Sequence, residues 1–243
     1  MEGLSRPDIP VGQSVSLDLA RMSLRQVNAW LHRDLASQSP PVRRVEILNP
    51  AGMHNVAVGL DADVEVVIRG HVGYYAAGMN KRARVTIEGN AGRGLAENIM
   101  SGVVRVKGSA SDSAAASGRG GLVVIEGDAA SRCAISLKGC DVVVGGSVGH
   151  VSGFMAQRGR LVVCGDAGAG LGDSLYESVI YVRGRIHGLG ADAREEPFTP
   201  ADREVVASLL AAAGIDCNAG EFKRVASART LYHWNAAHSS HYG

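Results

Sequence analysis

Residues 142–172 read VVVGGSVGHVSGFMAQRGRLVVCGDAGAGLG, which is one pattern written twice. An apolar triplet, Val142–Val144 and then Leu161–Val163, leads after one residue to Gly146 and Gly165. Each glycine opens a G-x-x-G-x-x-x-G run: Gly146, Gly149, Gly153 and Gly165, Gly168, Gly172. Extending the interval in both directions gives Gly70, Gly89, Gly108, Gly127, Gly146, Gly165 and Gly184, each 19 residues from the next. Seven glycines in register without a slip are an internal repeat. Each follows a short run of β-branched or aliphatic residues, 66–68, 85–87, 103–106, 122–125, 142–144, 161–163 and 179–182. These runs are too short for helices and are read as strands.

Aligning the copies exposes the parity of the strands. Four before the glycine stand Val66, Val85, Val104, Val123, Val142, Leu161 and Ile180, and two before it Ile68, Ile87, Val106, Ile125, Val144, Val163 and Val182. Two after it stand Val72, Ala91, Ala110, Ala129, Val148, Ala167 and Ile186. Side chains alternate across a strand, so these columns share an interior, and the mixed columns between them face outward. A further column is small throughout, Ala77, Ala96, Ala115, Ala134, Gly153, Gly172 and Ala191, which suggests an inner corner with close backbone packing. The fold class is therefore all-β, a right-handed parallel β-helix of about seven 19-residue coils with short flanking helices. At about 4.8 Å per coil the prism is about 34 Å long. Its core exists only through stacking, since one coil cannot bury its own apolar face. A hexapeptide solenoid would need an apolar residue every sixth position. Six after the second inner column stand Tyr74, Arg93, Asp112, Ser131, His150, Ala169 and Gly188, which fail that test. No column is an aspartate ladder, which sets aside the calcium-binding nonapeptide type.

The flanks carry helix signals. Ser23 and Gln26 form a capping-box pattern before Leu24, Val27, Leu31 and Leu35, predicting a helix over 24–37 that covers the first coil. Residues 14–20 alternate like a strand, and 45–52 look like a degenerate zeroth coil offset by one residue. Thr199, Pro200, Asp202 and Gly214 bracket a second helix, expected to lid the seventh coil. The expected division is an N-terminal arm and capping helix over 1–42, the β-helix over 43–193, and a lid helix with an interface tail over 194–243. Just before the glycines, Arg69, Glu88, Lys107 and Glu126 alternate in sign and predict a surface ladder. Three before them, Val124, Val143, Val162 and Tyr181 form an outward apolar stripe that something must cover, either the chain's own C-terminal helix or another subunit. That stripe, together with Phe222, Arg229, Tyr232 and Trp234 of the aromatic tail, is assigned to a subunit interface.

The G-x-x-G-x-x-x-G runs in this register resemble the GXGXG β-helix domain that ends the large subunit of glutamate synthase. A similar domain occurs in formylmethanofuran dehydrogenase, and a free-standing version is the small subunit of N-methylglutamate synthase and related complexes. The resemblance covers about residues 40–235, and the segment from Glu221 to Trp234 is similar to the closing segment of the free-standing members. Ser111, Ala130 and His187 replace the second glycine in three coils. The resemblance implies a structural subunit that carries no catalytic, cofactor-binding or metal residues itself. Its partners would be a glutamine amidotransferase-like subunit and an FMN-binding, glutamate-synthase-like subunit holding FMN and an iron–sulfur cluster. For N-methylglutamate synthase the net chemistry joins methylamine and glutamate and releases ammonia. The alternatives are another glutamate synthase-type or formylmethanofuran dehydrogenase-type oxidoreductase, or a self-sufficient solenoid that binds an acyl or sugar ligand.

Composition narrows the classes further. The formal net charge is +1 and the chain has 32 glycines in 243 residues, with 5% aromatics. No polyanion footprint follows, so nucleic acid is not expected as a partner. No apolar run is long enough for a membrane span and the first residues lack a signal pattern, so a cytoplasmic location is expected. Cys133, Cys140, Cys164 and Cys217 form no metal or redox spacing. Gly188, Gly190 and Ala193 imitate a dinucleotide fingerprint, but Pro197 and a charged loop follow where the helix should begin. The eight histidines are scattered. His71, His150 and His187 fall on turns, and no Ser-His-Asp set shares a column.

Overall fold

The computed structural model describes residues 13–229. Its backbone is one sheet of eleven strands wound as a parallel β-solenoid. Strand β1 (Gln13–Asp18) pairs parallel with β2 (Val42–Leu48), and the ladder continues through β3 (Glu65–Arg69), β4 (Arg84–Ile87), β5 (Val103–Val106) and β6 (Leu122–Ile125). It proceeds to β7 (Lys138–Val144), β8 (Arg158–Val163) and β9 (Val179–Val182), each partner 19 residues on along the repeat. A second side of the prism is a ladder of single bridges, Val72 to Ala91 and onward to Ile186. All but Ile186 of the inward columns are buried, and they fill one continuous core.

The period glycine answers to close approach between coils. A Cβ on Gly146 would lie 2.9 Å from the Gly127 carbonyl oxygen and closer still to the Asp128 carboxylate. A Cβ on Gly165 would lie 2.5 Å from Ser147 Oγ and 2.7 Å from the Gly146 carbonyl carbon. The crowding has a purpose. The polar residue after each glycine accepts a hydrogen bond from the same residue of the next coil: Asn90 N to His71 Nδ1, Ser109 N to Asn90 Oδ1, Ser147 N to Asp128 Oδ1 and Arg185 N to Asp166 Oδ1, at 2.7–2.9 Å. That side chain fills the space where a Cβ of the following coil would sit.

The third side is built from left-handed residues. The small column has positive φ from Ala77 (52°) to Gly172 (67°), as do Tyr75, Ser113, Arg132 and Val151 two residues earlier. Alanine and glycine occupy the small column because the backbone there is both left-handed and buried. Hydrogen bonds between coils, such as Ala96 N to Ala76 O at 2.9 Å, hold the arrangement.

The ends depart from the sequence expectations in instructive ways. The zeroth coil is longer than a one-residue offset allows: Val45 faces Val66, a step of 21 that exceeds the repeat by two. Helix α1 (Leu24–Ala29) has the expected capping box but continues to Ser37 as a π turn and a 3₁₀ turn. It lies on the zeroth coil through Asn28, which donates to Asn55 O and accepts from Ala57 N. Helix α2 (Pro200–Ala213) is no end lid. It runs along the outer face, from Tyr181 on β9, which donates to Asp202, to Arg105 on β5, which donates to Ala213 O at 2.6 Å. Fourteen helical residues span about 21 Å, close to the roughly 19 Å of four strand spacings. The seventh coil is closed instead by β11 (Lys223–Ser227), antiparallel to β9, with β10 (Ala193–Glu196) as a short charged edge beyond it. The surface ladder runs from Glu46 through Arg69 and Glu88 to Lys107, and Glu126 turns to Arg105 instead.

Candidate functional site

Three surfaces are available for function: the outer sheet face, the turn carrying the histidines, and the corner where the strands begin. The outer face is already occupied. Val124, Val143 and Val162 are fully buried and Tyr181 nearly so, in a second core with Val206, Leu209, Leu210, Ala213 and Phe222. The assignment of this stripe and of Phe222 to another subunit is therefore corrected. Helix α2 presents an apolar face as long as the stripe, and the chain covers it itself.

The closure is fastened at Asp202. Its carboxylate accepts the Thr199 backbone N–H at 2.9 Å and hydroxyl at 2.6 Å, the Tyr181 hydroxyl at 2.8 Å and Arg224 Nε at 3.2 Å. Arg224 also pairs with Glu196. Burial alone would raise the Asp202 carboxyl, but donation by Thr199 and Tyr181 holds it below the usual carboxylate range. Tyr181 is pushed up to about 12 by burial and by donating to that carboxylate. Phe198 packs edge-on to its ring at 6.1 Å. Arg229 pairs with Asp192 and lies in the surface of the closing hairpin. Tyr232 and Trp234 lie outside the described residues.

Three of the described histidines, His32, His54 and His71, serve the scaffold. His54 Nδ1 accepts from Tyr74 N at 2.8 Å and its ring stacks on Tyr74 at 4.4 Å. His71 is part of the ladder of turn acceptors, and His32 Nε2 donates to Val58 O. Burial pushes the thiols of Cys133 and Cys164 up to about 12 and that of Cys140 further, so they are poor nucleophiles at neutral pH. Among the described residues no group of three or more histidine, cysteine or acidic side chains is placed to hold a metal ion. A shallow cleft of about 320 Å³ is lined by Arg93, Asp112, Ser131, Arg132 and His150, where Asp112 accepts from Ser131 N.

A cleft of about 590 Å³ opens at the corner entering β7, β8 and β9. Arg119, Lys138, Arg158, Arg160 and Glu177 line it over a floor that includes Gly139 and Gly159. Both floor glycines have positive φ, 141° and 107°, and the β7–β8 register shifts between Lys138 and Asp141. Arg160 is committed to Asp141 through two 2.7 Å hydrogen bonds.

No protein-family model matches the sequence. Protein GlxC of Rhizobium meliloti (strain 1021) is 51% identical over 227 residues, covering 93% of this chain and 99% of GlxC. The chain belongs to the GlxC family. Sequence reasoning about this GlxC-family chain overlooked the basic corner. The signal was present in a column that the repeat makes visible, eleven residues after the first six period glycines: Lys81, Met100, Arg119, Lys138, Gln157 and Tyr176. Among the described residues of the GlxC-family chain no helix is long and apolar enough to cross a membrane.

Proposed function

We propose that the chain is a structural subunit of a heteromeric glutamate-synthase-like complex, and that the complex is N-methylglutamate synthase (methylamine–glutamate N-methyltransferase). The observation that carries this reading is the use of the turn side chains. His71, Asn90, Ser109, Asp128, Ser147 and Asp166 each accept a backbone N–H of the next coil, so the polar column that a catalytic solenoid would turn toward a substrate is consumed in holding register. The GXGXG-type glycine register and membership of the GlxC family support the class of complex. In this reading the chemistry belongs to an amidotransferase-like subunit and to a flavin-binding subunit with FMN and an iron–sulfur cluster, and the solenoid holds the two together in the cytoplasm.

The test is to co-express the tagged chain with an amidotransferase-like subunit and a flavin-binding, glutamate-synthase-like subunit. A co-purifying complex with flavin absorbance that forms N-methylglutamate from methylamine and glutamate, with ammonia released, is the expected result. Turnover by the isolated chain, or its purification alone beside an active two-subunit enzyme, would refute the proposal.

A further inference from the structure

We propose that the basic cleft at the strand-entry corner is a docking site for an acidic, partly apolar segment of a partner protein. The proposal rests on the scaffold reading above for the partner's identity. The residue eleven after the period glycines from Gly89 to Gly165 donates its backbone N–H to the preceding coil: Met100 to Asn80 O, Arg119 to Ile99 O, Lys138 to Gly118 O, Gln157 to Leu137 O and Tyr176 to Ala156 O, at 2.7–2.9 Å. These residues therefore stack coil on coil, about 4.8 Å apart, and at β7–β8 the register shift sets Arg158 opposite Lys138. In the middle of the row are Arg119 and Lys138, with Arg158 beside Gln157. None of these three cations forms an ion pair or a side-chain hydrogen bond among the described residues, whereas Arg69, Arg44, Arg105 and Arg160 all do. Arg119, Lys138 and Arg158 line the cleft together with Glu177 and with Arg160, which Asp141 already holds.

The ends of the row decide between kinds of anion. Met100 is 41% exposed and Tyr176 49% exposed, large apolar side chains at either end of the basic stretch. Methionine, tyrosine and arginine are the types enriched at protein interfaces, where a cation row sets orientation and the apolar ends supply desolvated contact. A free phosphate would need donors converging on one point. Here the donors are spread over several coils and stand exposed, which matches carboxylates spaced along a polypeptide. Gly139 answers to close approach between coils, since a Cβ there would lie 2.5 Å from the Arg119 carbonyl oxygen. The cleft lies on the strand-entry side of the outer face, so a segment bound there would leave the α2 closure in place.

Two measurements on the intact chain test the site. In the first, fluorescence anisotropy follows binding of a labelled peptide of alternating glutamate and leucine. Binding should weaken by about tenfold or more in the triple variant Arg119→Glu, Lys138→Glu, Arg158→Glu and fall with added salt. The triple variant Arg21→Glu, Arg25→Glu, Arg33→Glu, with the same change in net charge on the other end of the molecule, should bind like the wild type. Absence of peptide binding, equal loss in both variants, or tighter binding of a labelled single-stranded oligonucleotide would each overturn the assignment. In the second, the same variants are co-expressed with the two proposed partner subunits. A wild-type complex that the cleft variant fails to join supports the site. A complex that the cleft variant joins as well as the wild type overturns it and leaves the scaffold reading standing. If the wild type joins no complex, the scaffold reading fails and the peptide measurement alone decides the cleft.

Discussion

Gly146→Ala should destabilise the solenoid far more than the same substitution at Gly188, although both glycines follow strands of the repeat. The backbone at neither position is left-handed, so conformational strain does not separate them. Space does. A methyl on Gly146 meets the Gly127 carbonyl oxygen at 2.9 Å and the Asp128 carboxylate closer still, while a methyl on Gly188 meets nothing nearer than Ala169 Cβ at 3.6 Å. Relief at Gly146 requires Asp128 to swing away, which breaks its 2.7 Å hydrogen bond from Ser147 N, and the coils to part locally. Losing a hydrogen bond to a charged acceptor costs about 1.5–3 kcal/mol, and forcing a methyl into a packed contact adds about 1–3 kcal/mol. The expected loss is about 3–5 kcal/mol, a fall of roughly 10 °C in Tm for a chain of this size. Gly188→Ala should be neutral or gain up to about 1 kcal/mol, because alanine restricts the unfolded chain. Urea denaturation followed by circular dichroism measures both, compared at equal slope. A Gly146→Ala variant within about 0.5 kcal/mol of the wild type, close to the scatter of neutral surface substitutions, would refute close approach as the reason for the period glycine.

Val144→Asp places a carboxylate in a fully buried inner column, and a loss of more than about 4 kcal/mol or insoluble expression is expected, read by denaturation or by the soluble fraction. Asp202→Asn should loosen α2 by about 1–3 kcal/mol and speed hydrogen exchange across Pro200–Ala213 while the exchange of β4–β6 stays slow. Because the folded Asp202 carboxyl titrates below its reference value of 3.8, its contribution is complete above that pH and is lost as the pH falls through the lower folded value. The wild type should therefore lose α2 protection below about pH 4, and the Asn variant should lack that step. Ending the chain at Gly220 removes β11 and opens the backbone edge of β9, so self-association in sedimentation velocity is expected; a monodisperse monomer would show that β11 is dispensable for closing the stack.

The repeat was legible in the sequence because every coil must solve the same packing problem at the same place. Valine, isoleucine and alanine recur wherever the chain turns inward, and glycine recurs wherever an adjacent coil leaves no room for a Cβ. The caps of α2 were legible too, since Thr199, Asp202 and Gly214 act within a few residues of one another. Where α2 lies was not legible. An apolar helix face and an apolar stripe announce that each needs cover, but gathering Leu209 and Leu210 into one cluster with Val143 and Val162 depends on how far the chain travels after Gly184 before it turns back. The basic corner was hidden for a related reason. Arg119, Lys138 and Arg158 are ordinary surface residues until stacking sets them one coil apart beside glycines that bend the strand entry. The solenoid, its interior and its spacing can be read from the chain alone, because they rest on contacts repeated in every coil. Which outer surfaces remain open is set by the folded arrangement, because it depends on contacts made once.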